Sequence, residues 1–146
     1  MIGEALQNLA DIANCISGDF HLMHLNFRGA EFDTFHKKVL KKYYEEATDD
    51  FDSWSEAAAM FINDVANGNG SAERVEWTSC NGTYTKDDTI TKIDELLDSY
   101  MAAAVIVFIA LNQETSCNKC IGIANTLQTR IEYWSKELSY FNNRRA

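Results

Sequence analysis

Apolar positions along this chain recur at intervals of three and four, the spacing of one helix face, rather than at intervals of two. Ile2, Leu6, Leu9, Ala13, Ile16, Phe20, Met23 and Phe27 form one unbroken series. They predict a first helix from Ile2 to about Arg28, stopped by Arg28-Gly29. Phe35, Val39, Tyr43, Ala47, Phe51, Trp54, Ala58, Phe61 and Val65 form a second series, for a helix from about Ala30 to Val65. At about 1.5 Å per residue that helix is roughly 50 Å long. From Asn67 to Asp87 the periodicity fails. Asn67-Gly68-Asn69-Gly70 and Asn81-Gly82 mark turns, and Ala72 to Thr78 admits a short helix. A third helix is expected from about Asp88 to Asn112, with Asp87, Asp88 or Thr89 as its cap. Its stretch Met101–Leu111 is apolar all round, which predicts burial on most sides. Ala124, Leu127, Ile131, Trp134, Leu138 and Phe141 place a fourth helix over about Ser116 to Phe141.

Four amphipathic helices around one long connection predict an all-α, four-helix bundle formed by a single domain, residues 1–146. A structureless loop as long as the one after Asn67 is uncommon unless it has a task. Running from one end of a bundle to the other is such a task, and long crossovers of this kind belong to ferritin-like bundles. The chain contains no proline, as suits a mostly helical protein.

Charge narrows the function classes. The formal net charge is -9 and the isoelectric point about 4.7. Direct nucleic-acid binding leaves a basic footprint. Here the clustered basic residues are only Lys37-Lys38, Lys41-Lys42 and Arg144-Arg145. The first residues, Met1 to Ile16, are amphipathic and lack the regions of a signal peptide. The longest apolar run, Met101–Leu111, is too short to span a bilayer. A cytoplasmic protein with no membrane partner is expected.

The spacing-constrained chemistry lies between His24 and Glu56. His24 and His36 flank the turn near residue 30 symmetrically, so an antiparallel helix hairpin would set both imidazoles at one height. Asp52 and Glu56, four residues apart, share a helix face. His36 and Asp52 are sixteen residues apart. On a uniform helix that is about 24 Å along the axis and about 160° around it. One chain therefore cannot join the two pairs in one site. Two copies meeting across a twofold axis would, each supplying half of two sites. Taken singly, His24 and His36 read as surface or interface histidines. Asp52 and Glu56 then read as part of a solvated acidic face with Asp49 and Asp50.

The stretch resembles the Dps family, the DNA-protection-during-starvation branch of the ferritins. The resemblance rests on His24-Leu25-Asn26-Phe27-Arg28-Gly29, Phe32, His36, Tyr43 or Tyr44, and Asp52-Ser53-Trp54-Ser55-Glu56. It covers about a third of the chain; elsewhere only the helix order matches. The spacing of the two histidines is the family's, and that from His36 to Asp52 is one residue longer. The resemblance implies a ferritin-like bundle with a short helix in the crossover, assembled as a hollow dodecamer. It implies metal and catalytic ligands His24 and His36 from one subunit and Asp52 and Glu56 from its mate. The implied activity is oxidation of Fe(II), with hydrogen peroxide as oxidant, followed by storage of ferric mineral.

Departures from the family pattern alter the expectation. Leu40 stands where many members carry a carboxylate, and Leu25 where many carry Trp. Such a site would hold one iron well and a second poorly, with slow oxidation, or with zinc as the metal. His21 lies close by on the same helix. Two alternatives follow: a ferritin-like shell of structural or interaction role with weak or no oxidation chemistry, and a DNA-compacting Dps, against which the charge argues. Of the four cysteines, Cys15 reads as core packing and Cys80 lies in the crossover without an assignable partner. Cys117-Asn118-Lys119-Cys120 falls at the start of the fourth helix, capped by Thr115 or Ser116, and reads as two reduced thiols. No disulfide framework is expected.

Overall fold

The structure is a computed structural model that describes residues 2–26, 39–61, 86–114 and 116–145. Among them are four helices and no strand. These are α1 (Ile2–Asn26), α2 (Lys41–Ala59), α3 (Lys86–Gln113) and α4 (Asn118–Arg145). The apolar series behaves as a bundle seam should. Ile2, Leu6, Leu9, Ala13, Ile16, Phe20 and Met23 are buried along α1, and Tyr43, Ala47, Trp54 and Ala58 along α2. Leu127, Trp134 and Phe141 do the same on α4. The expected short crossover helix, Ala72–Thr78, lies outside the described residues.

Side-chain pairings fix the directions of the helices. The Ser17 and Thr48 hydroxyls lie 2.6 Å apart, and the His21 and Tyr44 rings stack at 4.5 Å. Moving forward on α1 therefore means moving back on α2, so the two are antiparallel. Lys42 pairs with Glu137, Glu46 with Arg130, and the Met60 carbonyl with Lys119, so α2 and α4 are antiparallel too. The short link from Glu114 to Cys117, together with the Tyr100–Trp134 ring contact, makes α3 antiparallel to α4. It follows that α2 and α3, consecutive in the chain, run parallel. Parallel neighbours cannot be joined by a tight turn. The 24 residues between Phe61 and Lys86 must carry the chain back along the bundle. This is the task expected of the crossover.

Several boundaries differ from expectation. The second helix was expected to run to Val65, but α2 stops at Ala59, with residues 60 and 61 in a turn. The Phe61 amide reaches back only to the Ala58 carbonyl (3.0 Å), and Lys119 Nζ takes the Met60 carbonyl (2.8 Å), which satisfies the helix end from outside. At its other end, Val39 and Leu40 form a π turn leading into α2. Both are buried. The third helix differs in burial. Val105, Ile106 and Ile109 are exposed, Ile106 to 68 %. Only one side of α3 packs on α1 and α4, so an all-round apolar sequence leaves its outer face open in the single chain. No helix among the described residues is long and apolar enough to cross a membrane.

Candidate functional site

His24 lies in the last turn of α1, half-buried, with its ring 5.2 Å from Tyr44 on α2 and 6.3 Å from His21. Tyr44 stacks on His21 as well, so one tyrosine braces both imidazoles at the α1/α2 contact. Asp52 and Glu56 are both exposed on α2. Glu56 lines an open cleft between α2 and α4 with Ala57, Met60, Gly122 and Ile123. A side chain added at Gly122 would meet nothing within 4 Å.

The carboxylates follow Tyr44 by eight and twelve residues, about 12 and 18 Å along the helix at about 1.5 Å per residue. Metal–ligand bonds are about 2 Å long. His24 therefore shares no ion with Asp52 or Glu56 of its own chain. Among the described residues no three His, Cys, Asp or Glu side chains gather as a metal-binding group. His36 lies outside the described residues. Leu40 itself is 0 % exposed and belongs to the core. It presents nothing to a site.

The solvated acidic face needs correction at one position. Asp49 and Asp52 are exposed, but Asp50 is 2 % exposed. It stands three residues after Ala47 and four before Trp54, on the buried seam itself. Its Oδ2 accepts from Trp134 Nε1 (2.7 Å) and from the Tyr100 hydroxyl (2.7 Å), and its Oδ1 accepts from Arg130 Nε (2.5 Å). Trp54 Nε1 donates to the Tyr100 oxygen (2.6 Å), and Arg130 also reaches Glu46 (2.9 Å) while lying over the Tyr133 ring. This network joins α2, α3 and α4 through the middle of the bundle. Burial pushes the Asp50 carboxyl above its ordinary range, against the pull of Arg130, Trp134 and Tyr100. Burial, reinforced by the Asp50 charge, raises the Tyr100 hydroxyl strongly. Burial alone would lower Arg130. Asp50 and Glu46 together outweigh it and hold the guanidinium charged. These groups form a closed, satisfied polar centre.

The cysteines also differ from the reading as reduced thiols. Cys117 and Cys120 form a disulfide, and Cys15 is disulfide-bonded as well, half-buried rather than part of the core. Cys80 lies outside the described residues. Cys117 occupies the position before α4 expected for Thr115 or Ser116, its amide bonded to the Glu114 carbonyl.

Compared with known proteins, the chain matches no family model, no curated relative and no solved structure.

Proposed function

We propose that the chain is a Dps-like iron-oxidising and iron-storing protein of ferritin-like fold, assembled as a dodecamer. His24 and His36 of one copy and Asp52 and Glu56 of its twofold mate bind Fe(II). Hydrogen peroxide oxidises it, and ferric mineral collects within the shell. The observation that carries the reading is the separation of the half-sites. His24 stands at one end of α1, while Asp52 and Glu56 are exposed far along α2, so the two carboxylates are open to a second chain. One further feature supports it. Helices α2 and α3 run parallel and are joined by a long connection, the arrangement of ferritin-like bundles. The four ligands are oxygen and nitrogen donors suited to iron.

One observation favours a second reading, a shell with weak or no oxidation chemistry. The position that carries a carboxylate in many Dps proteins is here the core residue Leu40. Anaerobic Fe(II) titration followed by peroxide addition, with particle mass measured on the same sample, tests both. Saturable binding of one or two irons per chain and oxidation faster than in buffer, in a large assembly, are expected. A large assembly that binds no iron would retire the ferroxidase and leave the shell.

A further inference from the structure

The disulfide between Cys117 and Cys120 is a chemically reactive group that the iron reading leaves unused, and both of its cysteines lie among the described residues. Its place in the fold separates a structural staple from a redox couple. The two residues are three apart, and their Cα atoms are 5.3 Å apart, inside the range a disulfide needs. That is also the separation that one turn of helix imposes between such positions. The same backbone therefore accommodates the bond and the open dithiol, and breaking it requires no movement of α3 or α4. The bond closes the shortest loop a CxxC pair can close. The constraint a disulfide places on the unfolded chain grows with loop length, so this one adds little to what the turn of helix already enforces.

The surroundings favour the reduced, nucleophilic form as well. Cys117 directly precedes α4, and no acidic residue occupies the first turn. A helix N-terminus stabilises a thiolate, while the Lys119 ammonium is committed to the Met60 carbonyl and the Phe61 ring. The pair is also sheltered: Cys117 keeps 6 % of its surface and Cys120 1 %. A protein disulfide has little surface to dock on here, and the couple requires that small thiols and peroxide reach Cys117, the more exposed of the two.

We propose that Cys117 and Cys120 form a reversible dithiol–disulfide couple at the start of α4, reduced by low-mass thiols and reoxidised by hydrogen peroxide. In reduction, two thiols RSH give up two electrons and two protons. The S–S bond breaks, Cys117 and Cys120 become thiols, and RSSR leaves. In reoxidation the Cys117 thiol gives up its proton and the thiolate attacks a peroxide oxygen, the O–O bond breaks, a sulfenic acid forms, and the released hydroxide takes up that proton as one water. The Cys120 thiol then displaces the sulfenic oxygen as a second water, and the S–S bond is restored. The couple does not depend on the iron reading, and its test uses metal-free protein.

The whole chain, treated with chelator, is equilibrated in glutathione buffers of varied ratio, quenched with an alkylating agent and digested. The peptide bearing Cys117 and Cys120 is quantified by mass spectrometry, and that bearing Cys15 is followed separately. The dithiol-to-disulfide ratio at 117/120 should rise tenfold for each tenfold rise in the squared glutathione to glutathione disulfide ratio. Helical circular dichroism and particle mass should stay constant throughout. One equivalent of peroxide should then return the disulfide without sulfinic acid. A pair that yields to thiols only once the helices have melted is a structural link, and that result overturns the proposal. So does a reduced pair that peroxide leaves as dithiol or carries to sulfinic acid. Cys120→Ser supplies the second arm. It should show Cys117 trapped as a mixed disulfide with glutathione, and a Cys117 that stays unmodified overturns the accessibility argument.

Discussion

Tyr100 on α3 donates a 2.7 Å hydrogen bond to Asp50 on α2 and accepts one of 2.6 Å from Trp54, so a single hydroxyl joins a buried carboxylate to a buried indole. Replacing it by phenylalanine keeps the ring and removes both bonds. The Trp54 N–H then has no acceptor, and Asp50 loses one of three donors. A buried polar group left unsatisfied costs about 1–3 kcal/mol. Tyr100→Phe should lower the unfolding free energy by about that amount in urea, with the m-value unchanged. A loss within error would mean that water replaces the hydroxyl.

Asp50→Ala should be more severe. It strips Arg130 of its main partner and leaves the Trp134 and Tyr100 donors facing a void. Removing one member of a buried charged pair costs about 3–5 kcal/mol. The double variant Asp50→Ala/Arg130→Met should recover part of the loss, because the guanidinium that has lost its buried partner and keeps only Glu46 is removed as well. Recovery is read as the difference in melting temperature between single and double variants, and its absence would place the cost in the indole and phenol bonds instead.

The same carboxyl sets a pH dependence of unusual sign. Burial raises the folded pKa of Asp50 above the ordinary 3.8. The folded chain therefore keeps this proton at pH values where the unfolded chain has lost it. Its contribution to stability is largest below pH 3.8 and declines as pH rises through the folded value. Unfolding free energies of the wild type minus those of Asp50→Asn, taken from about pH 3.5 upward, should fall with pH. A difference that climbs instead would mean that Arg130 outweighs burial.

For the iron reading, His36→Ala and Glu56→Ala should each abolish oxidation and leave the assembly intact. Mixing the two variants and reassembling them should restore part of the activity, since some twofold contacts then carry one whole site. A rate measured by ferric absorbance that stays at the buffer value in the mixture would count against a site shared between copies.

Leu40 supplies a sharper discrimination. Introducing the carboxylate that many Dps proteins carry, by Leu40→Glu, would place an unpaired charge in the core, at a cost of several kcal/mol. The variant should melt well below the wild type and bind no additional iron. A stable Leu40→Glu protein with a higher Fe(II) stoichiometry would show that this position faces the site.

The seams of α1, α2 and α4 were legible because a half-buried helix must repeat its apolar positions at three and four. The break between α2 and α3 was legible because the apolar period fails from Asn67 to Asp87. Asp50 was not. It sits on the seam, but Asp49 and Asp52 beside it gave the segment the look of a solvated face. The groups that make its burial tolerable lie 50, 80 and 84 residues further on. Local pattern carries no information about donors that far away. The early stop of α2 escaped for a similar reason, since Lys119 closes it from another helix. The π turn at Val39–Leu40 has neither proline nor glycine to announce it. The open face of α3 shows the converse limit: composition says what a stretch tolerates, and the neighbours decide how much of it is covered.

The polar centre also sets a timetable for folding. Helices α1 and α2 are adjacent in sequence and are ready to pair soon after leaving the ribosome. At that stage Asp50 is a bare carboxylate on an apolar seam, and its three donors belong to residues not yet synthesised. The hairpin must stay loose, or keep that edge in water, until Trp134 arrives. Chains truncated before α4 therefore lack the Arg130 and Trp134 donors where the core should close, while full-length chains bury the carboxylate against them.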